Sequence, residues 1–321
     1  MDGARSATPP LVDVLNAYSG ALLGVAVGDA LGAPLEGRPG PLPLDELTQV
    51  EESYALLPHT DDTVMTIDVA GSLLFCGGLD EDHLARTFAA SFARDPHRGY
   101  GRGTASLLTR IAAGDDWRTA AAEQFGGRGS LGDGAAMRVT PVALFTAGDP
   151  AMAAELARRS ARVTHTHPLA VDGAAAQAAA TAVLLDTPSH EAVAADDLAG
   201  LLHTVVATDE HHTALERVVE VCRDAPAAEV VDALGNGVTA VEAVPAALCT
   251  FLRHQGSFED TVRFAIGLGG DTDTIAAMAG ALAGAHLGRG AIPTAWLQHL
   301  EGRAHLDEIA HRFARRRIAL R

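Results

Sequence analysis

The sequence contains no lysine, so all 24 basic residues among its 321 are arginines. An ammonium group is central to Schiff-base and pyridoxal-phosphate enzymes, to Walker-type nucleotide hydrolases and to protein kinases. The absence of lysine therefore excludes these classes of enzyme.

Cysteine and aromatic residues are also scarce. The three cysteines, Cys76, Cys222 and Cys249, are far apart, and no Cys/His spacing typical of a zinc site occurs. A disulfide scaffold is not expected in so long a chain, and we expect a reduced, cytoplasmic setting. Since aromatics make up only 4% of the residues, the core is predicted to consist mainly of alanine, leucine and valine.

Basic residues are few compared with acidic ones, since 24 arginines against 41 acidic residues give a net charge of −17. Binding to nucleic acid over a broad surface needs a basic patch, so we expect no such surface. A small anionic ligand held locally by arginines, helix N-termini or metal ions remains compatible with this charge.

The apolar runs of the sequence are short as well. The longest, from Ile275 to Leu287, contains His286 and is too short to span a bilayer. The first ten residues lack the basic-then-apolar pattern of a signal peptide. We therefore expect no membrane partner.

Helical periodicity dominates what is present. Apolar residues recur at i, i+3 and i+4 from Leu11 onward, whereas alternating runs of β-branched residues are nearly absent. The pattern predicts an all-α fold and one domain over residues 11–321 after a loose tail at 1–10. The sequence leaves the oligomeric state open, and a monomer is the default expectation. The predicted helices are 11–30, 62–76, 80–92, 102–113, 134–147, 149–162, 168–185, 210–223, 238–254, 257–266, 274–288 and 293–316.

Two of these helices carry small residues at every fourth position. The two stripes are Gly20, Gly24, Gly28 and Gly32, and Ala276, Gly280, Gly284 and Gly288. A glycine inside a helix costs about 0.5–1 kcal/mol relative to alanine, so the stripes need compensation. We predict that the two helices pack closely in the core, and we attribute Gly32 and Gly288 to helix ends.

Two clusters of acids and threonines each precede an apolar helix. The first is HTDDT, which ends at Thr63, and the second is GGDTDT, which ends at Thr274. Aspartate and threonine are common helix caps, and capping alone is an ordinary reason for one cluster. A cap needs one such residue, whereas each cluster supplies four.

Adjacent carboxylates repel each other unless a cation lies between them. Hard divalent cations bind carboxylate, hydroxyl and water oxygens without cysteine or histidine. If the two glycine-striped helices pack together, Glu36 approaches Asp271 and Asp273, and Asp29 is a further acid nearby. The sequence therefore predicts a site for two Mg²⁺ or Mn²⁺ ions.

Other patterns are weaker. GRGSLG matches the GxGxxG string but follows a helical pattern rather than a strand, so a Rossmann interpretation is poor. As glycine loops, this segment and GYGRG either bind phosphate through backbone N–H groups or are simple turns. His165 and His167 lie at a predicted helix start, and the lack of a GxSxG motif leaves a serine hydrolase without its nucleophile.

Seven segments, in this order, resemble the ADP-ribosylglycohydrolase family over roughly residues 15–290. They are GDALGAPLE, HTDDT, RGYGRG, GRGSLGDGAAMRV, THTHP, GNGVTAVEAVPAAL and GGDTDTIAAMAGALAG. The resemblance implies a compact orthogonal multi-helix fold with a dinuclear metal cleft. It also implies cleavage of the glycosidic bond at the anomeric carbon of ADP-ribose, with ADP-ribosylated proteins or small conjugates as substrates.

The resemblance also implies roles for individual residues. The implied metal ligands are Thr60, Asp61, Asp62, Asp271, Asp273 and Thr274. The implied substrate contacts are Gly99, Tyr100, Gly101, Gly129, Ser130, Leu131, Gly132 and His165. We expect Arg98 to bind the diphosphate together with the glycine loops. Glu36 is the preferred proton-transfer residue, with Asp62 as the competitor.

The segments with RGYG and GRGSLG look more like the serine-specific branch than the arginine-specific one. Two departures bear on specificity, since Leu131 replaces a tyrosine of that branch and Asp133 stands where the family more often has asparagine. Three alternatives remain: an arginine-specific hydrolase, a non-catalytic binding or structural relative, and a dimetal phosphoesterase.

Overall fold

The computed structural model describes residues 11–53 and 55–319. Within this part of the chain every regular element is a helix, and only the isolated bridges Leu57–Leu300 and Gly132–Thr239 have strand-like pairing. The predicted all-α class is therefore confirmed. The predicted tail, residues 1–10, lies outside the described residues.

The helices follow one another along the chain with short connections. The first nine are α1 (Leu11–Gly32), α2 (Leu44–Ser53), α3 (Asp61–Cys76), α4 (Glu81–Arg94), α5 (Arg102–Ala112), α6 (Trp117–Ala122), α7 (Gln124–Gly127), α8 (Thr140–Phe145) and α9 (Pro150–Arg162). The next nine are α10 (Pro168–Leu184), α11 (Ala195–His203), α12 (Asp209–Val221), α13 (Ala227–Leu234), α14 (Ala240–His254), α15 (Phe258–Gly267), α16 (Thr272–Leu287), α17 (Thr294–His299) and α18 (Arg303–Ala319). Short 3₁₀ helices lie at Ala33–Leu35, Asp133–Ala135 and Arg289–Ala291.

Helices α1 and α16 form the centre of the fold and touch backbone to backbone. Their antiparallel register pairs Gly20 with Gly284, Gly24 with Gly280 and Gly28 with Ala276. A Cβ added to any of these α1 glycines would overlap a carbonyl oxygen of α16. The predicted close packing is confirmed. Gly32 and Gly288 end their helices as expected, and Gly32 also takes part in the close packing, since a Cβ there would lie 2.5 Å from the Thr272 oxygen.

The stretch Leu11–Leu35 is long and apolar enough to cross a membrane, which the sequence analysis did not note. Within the fold, 67% of its apolar window is buried inside the protein. A helix that is packed on all sides in a protein core can be as long and as apolar as a membrane span. The packing of α1 against α16 is of this kind.

Replacing Gly24 by alanine should destabilise the protein by at least about 3 kcal/mol, because the backbones of α1 and α16 must separate to admit the methyl group. The matched control is Gly71→Ala in α3, where a Cβ meets nothing within 4 Å. The control should stabilise the protein by about 0.5–1 kcal/mol, since alanine is the better helix former. Urea unfolding followed by circular dichroism measures both effects, and equal midpoints for the two variants would contradict the close approach.

Several predicted boundaries were wrong. The predicted helix 293–316 is two helices, because the chain turns at Leu300 and at Gly302, which has φ of 71°. The predicted helix 134–147 is a 3₁₀ turn followed by the short α8. The helices α2, α11 and α13, which have 10, 9 and 8 residues, were not predicted.

Candidate active site

Three chain segments meet at one end of the α1–α16 pair. Because the pair is antiparallel, the end of α1 lies against the start of α16, where the Thr272 hydroxyl donates to the Gly32 carbonyl at 2.9 Å. The segment after α1 is fastened there too, since the Gly37 amide donates to the Gly270 carbonyl at 2.8 Å. The start of α3 is the third segment.

Asp29, near the end of α1, holds the start of α3. Its fully buried carboxylate accepts hydrogen bonds from the Thr60 amide at 2.9 Å and from the Thr63 hydroxyl at 2.6 Å. The Thr63 amide adds a third at 3.1 Å. With its oxygens engaged in this way, Asp29 positions the first acid cluster rather than facing a ligand.

Helix capping accounts for only part of the two clusters. The Thr60 hydroxyl accepts from the Asp62 amide at 3.4 Å and so caps α3. Asp271 occupies the N-cap position of α16 but makes no side-chain cap hydrogen bond. Its carboxylate instead lies against those of Asp133 and Asp273.

Asp62 connects the two clusters. Its Oδ2 accepts from the Thr60 hydroxyl at 3.4 Å and from the Thr274 hydroxyl at 3.5 Å. Its Oδ1 is buried and has no hydrogen-bond partner among the described residues. An orphaned buried carboxylate oxygen is costly, which indicates a ligand such as a cation.

Glu36 lies beside the second cluster, as predicted from the packing of the two glycine-striped helices. Glu36, Asp271 and Asp273 each offer a carboxylate oxygen, and these atoms all lie within 4.8 Å of one another. Residues from opposite ends of the chain thus form one acidic group. Side chains at this spacing can share a metal ion.

The electrostatics of the acids also favour a cation. Burial, together with the Asp29 carboxylate, raises the pKa of Asp61 to about 8. Burial and the neighbouring carboxylates raise the pKa values of Asp62 and Asp273 well above their usual range. Within residues 11–53 and 55–319, none of these acids forms an ion pair with an arginine. A hard divalent cation with oxygen ligands fits this donor set.

A cavity of about 550 Å³ opens beside the acids, a volume typical of small-ligand sites. Glu36, Asp61, Asp62, Asp271, Asp273 and Thr274 form its acidic side. Of the predicted substrate contacts, those on its wall are Gly99, Gly101, Gly129, Ser130, Leu131, Gly132 and His165. Thr60 is not on this wall, but its hydroxyl donates to Asp62, which is.

The cavity mouth contains residues that the sequence analysis did not select. Phe125 and Val238, together with the predicted Leu131, are exposed apolar side chains around it, and Arg102 and Arg128 supply positive charge. Phe125 adopts φ of 51°, a left-handed conformation rare for a bulky residue. Only this local backbone, which the sequence does not reveal, turns its ring toward the cavity.

Two predicted substrate contacts lie elsewhere among the described residues. The Arg98 guanidinium is engaged by Glu301 at 2.7 Å and by Asp95 at 2.7 Å, outside the cavity wall. The Tyr100 ring packs edge-on against Phe92. The interpretation of Arg98 as a diphosphate ligand is therefore corrected, because its charge is already paired; Arg102 and Arg128 lie on the wall instead.

Asp133 points into the cavity. Its side chain is 6% exposed and its Oδ2 is buried without a hydrogen-bond partner among the described residues. Burial and the adjacent Asp271 carboxylate raise its pKa well above the usual range. A carboxylate here repels the negative charges of an anionic ligand.

Replacing Asp133 by asparagine should therefore tighten the binding of ADP-ribose about tenfold at a pH high enough to ionise Asp133, since it removes about 1.4 kcal/mol of like-charge repulsion. Isothermal titration calorimetry measures this affinity. The exposed Asp224, changed to asparagine, controls for the altered net charge and should leave the affinity unchanged. Weaker binding by the Asp133 variant would mean that this carboxylate contacts the ligand or its cation favourably.

Comparison with known proteins gives a consistent result. The ADP-ribosylglycohydrolase family profile matches residues 10–320. ADP-ribosylhydrolase ARH3 from Danio rerio is 35% identical, with 97% of this chain and 93% of the relative covered. The human ARH3 is 33% identical, with 92% of each chain covered.

Two further proteins are also similar to this chain. The ADP-ribosyl-[dinitrogen reductase] glycohydrolase of Rhodospirillum rubrum is 27% identical over 88% of this chain and 89% of its own. A solved structure described as an ADP-ribosylglycohydrolase-related protein complex superposes with a TM-score of 0.72 at 30% identity. The superposition covers 95% of this chain and 99% of the other.

Proposed function

The chain belongs to the ADP-ribosylglycohydrolase family of glycosidic-bond hydrolases, and from this premise we propose that it releases ADP-ribose from an oxygen-linked acceptor of the serine type. We propose further that two Mg²⁺ or Mn²⁺ ions serve as its cofactors. The observation that carries the proposal is the meeting of Glu36, Asp271 and Asp273 within 4.8 Å, beside Asp62 with its orphaned oxygen.

The residues present fit a pair of divalent ions. Asp61, Asp62, Asp271 and Asp273 supply carboxylate oxygens and Thr274 supplies a hydroxyl on one acidic wall, and the Thr60 hydroxyl lies next to this wall, 3.4 Å from Oδ2 of Asp62. When bound, such ions act as Lewis acids that orient ribose hydroxyls and water. The protein contributes a rigid frame, because Asp29 and the α1–α16 contact fix the relative positions of the ligands.

Glu36 is the proposed proton-transfer residue. It follows the 3₁₀ turn after α1 and is more exposed to the cavity than the deep Asp62, which is tied to two threonine hydroxyls. In hydrolysis, the water oxygen forms a bond to the anomeric carbon while the bond to the acceptor oxygen breaks. Glu36 transfers a proton either to the departing oxygen or from the attacking water.

The glycine loops of the cavity wall are the proposed site of the diphosphate. Gly99 and Gly129 lie on this wall and have φ values of 93° and 75°. Such loops bind anions. Arg102 and Arg128 add positive charge, which offsets the acidity of the rest of the protein.

A panel of defined ADP-ribose linkages tests the proposal. Serine-linked, arginine-linked and poly-ADP-ribose substrates are incubated with excess Mg²⁺ or with EDTA, and free ADP-ribose is quantified by chromatography. We expect release from the serine-linked peptide that EDTA stops and Mg²⁺ or Mn²⁺ restores. Faster release from arginine would contradict the acceptor assignment, and ADP-ribose binding without release from any substrate would indicate a binding protein.

A further inference from the structure

Two buried residues that play no part in the proposed chemistry stand behind His165 on the cavity wall. Arg138 is fully buried, and its Nη2 donates to the Thr164 hydroxyl oxygen at 2.8 Å and to the Ser160 carbonyl at 3.1 Å. The same Thr164 oxygen lies 2.7 Å from Nδ1 of His165. A hydrogen-bonded chain therefore runs from the protein interior to the cavity.

The direction of this chain follows from its donors. A guanidinium has N–H donors and no acceptor, so the Thr164 oxygen accepts from Arg138. The single Thr164 hydroxyl proton then needs an acceptor, and Nδ1 of His165 is the only one in reach among the described residues. Nδ1 thus carries a lone pair, and the ring proton sits on Nε2.

Burial is consistent with a neutral ring of this kind. The loss of solvation, with a smaller contribution from the Arg138 charge, lowers the pKa of His165 to about 3. Nε2 lies on the opposite side of the ring, next to Gly132 and Gly134 of the cavity wall. It has no hydrogen-bond partner in the part of the chain that the structure describes, so it is available to a ligand.

We propose that Arg138 and Thr164 are positioning residues that fix His165 as its Nε2–H tautomer. The cavity then presents a hydrogen-bond donor at this point and selects an acceptor oxygen of the ligand, a hydroxyl or a phosphate oxygen. Only the identity of that ligand rests on the proposed function. Arg138 keeps its place by packing over the Phe88 ring, 4.5 Å from its centroid.

Nuclear magnetic resonance of the ¹⁵N-histidine-labelled protein tests the tautomer directly. Long-range ¹H–¹⁵N spectra distinguish protonated from unprotonated ring nitrogens, and the signals that disappear in His165→Asn identify this residue. We expect wild-type His165 to carry its proton on Nε2 at neutral pH. A proton on Nδ1, or a doubly protonated ring, overturns the proposal.

Variants at Thr164 test the relay. Thr164→Val removes the hydroxyl with little change of shape and should give a mixture of tautomers and about 3- to 10-fold weaker binding of ADP-ribose, the loss of one hydrogen bond. Thr164→Ser keeps the hydroxyl and should restore both. Thr250→Val is the matched control, because Thr250 is fully buried and its hydroxyl has no partner among the described residues.

The outcomes separate this inference from the proposed function. An unchanged tautomer in Thr164→Val, with the affinity of the Thr250→Val control, overturns the relay even if the enzyme cleaves ADP-ribose. If the wild-type protein binds no ADP-ribose, the proposed function fails. The spectra then still decide whether Arg138 and Thr164 set the tautomer.

Discussion

Replacing Glu36 by glutamine should lower kcat about 10²- to 10⁴-fold while leaving metal binding and ADP-ribose affinity within about threefold of wild type. The amide has nearly the same shape but cannot transfer a proton. Glu36 lies beside the proposed metal ligands, within 4.8 Å of Asp271 and Asp273, and faces the cavity. Single-turnover release of ADP-ribose at saturating Mg²⁺ measures the chemical step.

A surface glutamate supplies the control for this substitution. Glu123 is exposed, pairs with Arg110 and lies outside the cavity wall, so Glu123→Gln should leave turnover unchanged. A near-normal rate for the Glu36 variant would remove its proposed role and favour Asp62 as the base. A parallel loss of metal affinity would instead show that Glu36 is a metal ligand.

Replacing Asp273 by asparagine should lower metal affinity by about 100-fold or more and reduce activity with it, because a carboxylate ligand is lost. Its Oδ1 accepts from the Thr274 amide at 2.9 Å, which holds the side chain at the start of α16. The metal-free variant should be at least as stable as the metal-free wild type, because one of several crowded carboxylates has been neutralised. Calorimetric titration with Mn²⁺ and thermal unfolding in EDTA give the two readouts.

The matched control is Asp260→Asn, which changes an aspartate in the first turn of α15, on the surface. Its metal affinity and activity should equal those of the wild type. Unchanged Mn²⁺ binding by Asp273→Asn would exclude this carboxylate from metal ligation. A fall in stability in EDTA together with lost binding would instead indicate a structural role at the start of α16.

Local sequence was sufficient for the long helices but not for the short ones. The close contact of α1 and α16 could be predicted because a row of glycines along a helix is costly unless another backbone packs against it, and this contact places Glu36 near Asp273. The break at Gly302 and the short α2 were not predictable, since tertiary contacts rather than periodicity stabilise short helices.

The site also contains contacts that the sequence does not predict. Arg98 had the right charge next to a glycine loop, but Glu301, 203 positions later, pairs with it. The contacts of Arg138 with Thr164 and of Thr164 with His165 could not be predicted from the sequence, because arginine, threonine and histidine occur in many other structural roles.

The residues themselves determined the all-α class, the two acid clusters and the family, because these depend on periodicity and on short motifs contained in single segments. Only the tertiary structure decided which charges remain free. The Asp29 carboxylate accepts hydrogen bonds from Thr60 and Thr63, while Asp62 has an oxygen without a partner among the described residues. The physical reason is that a charged group's function depends on its neighbours in space, and packing brings those neighbours from distant parts of the chain.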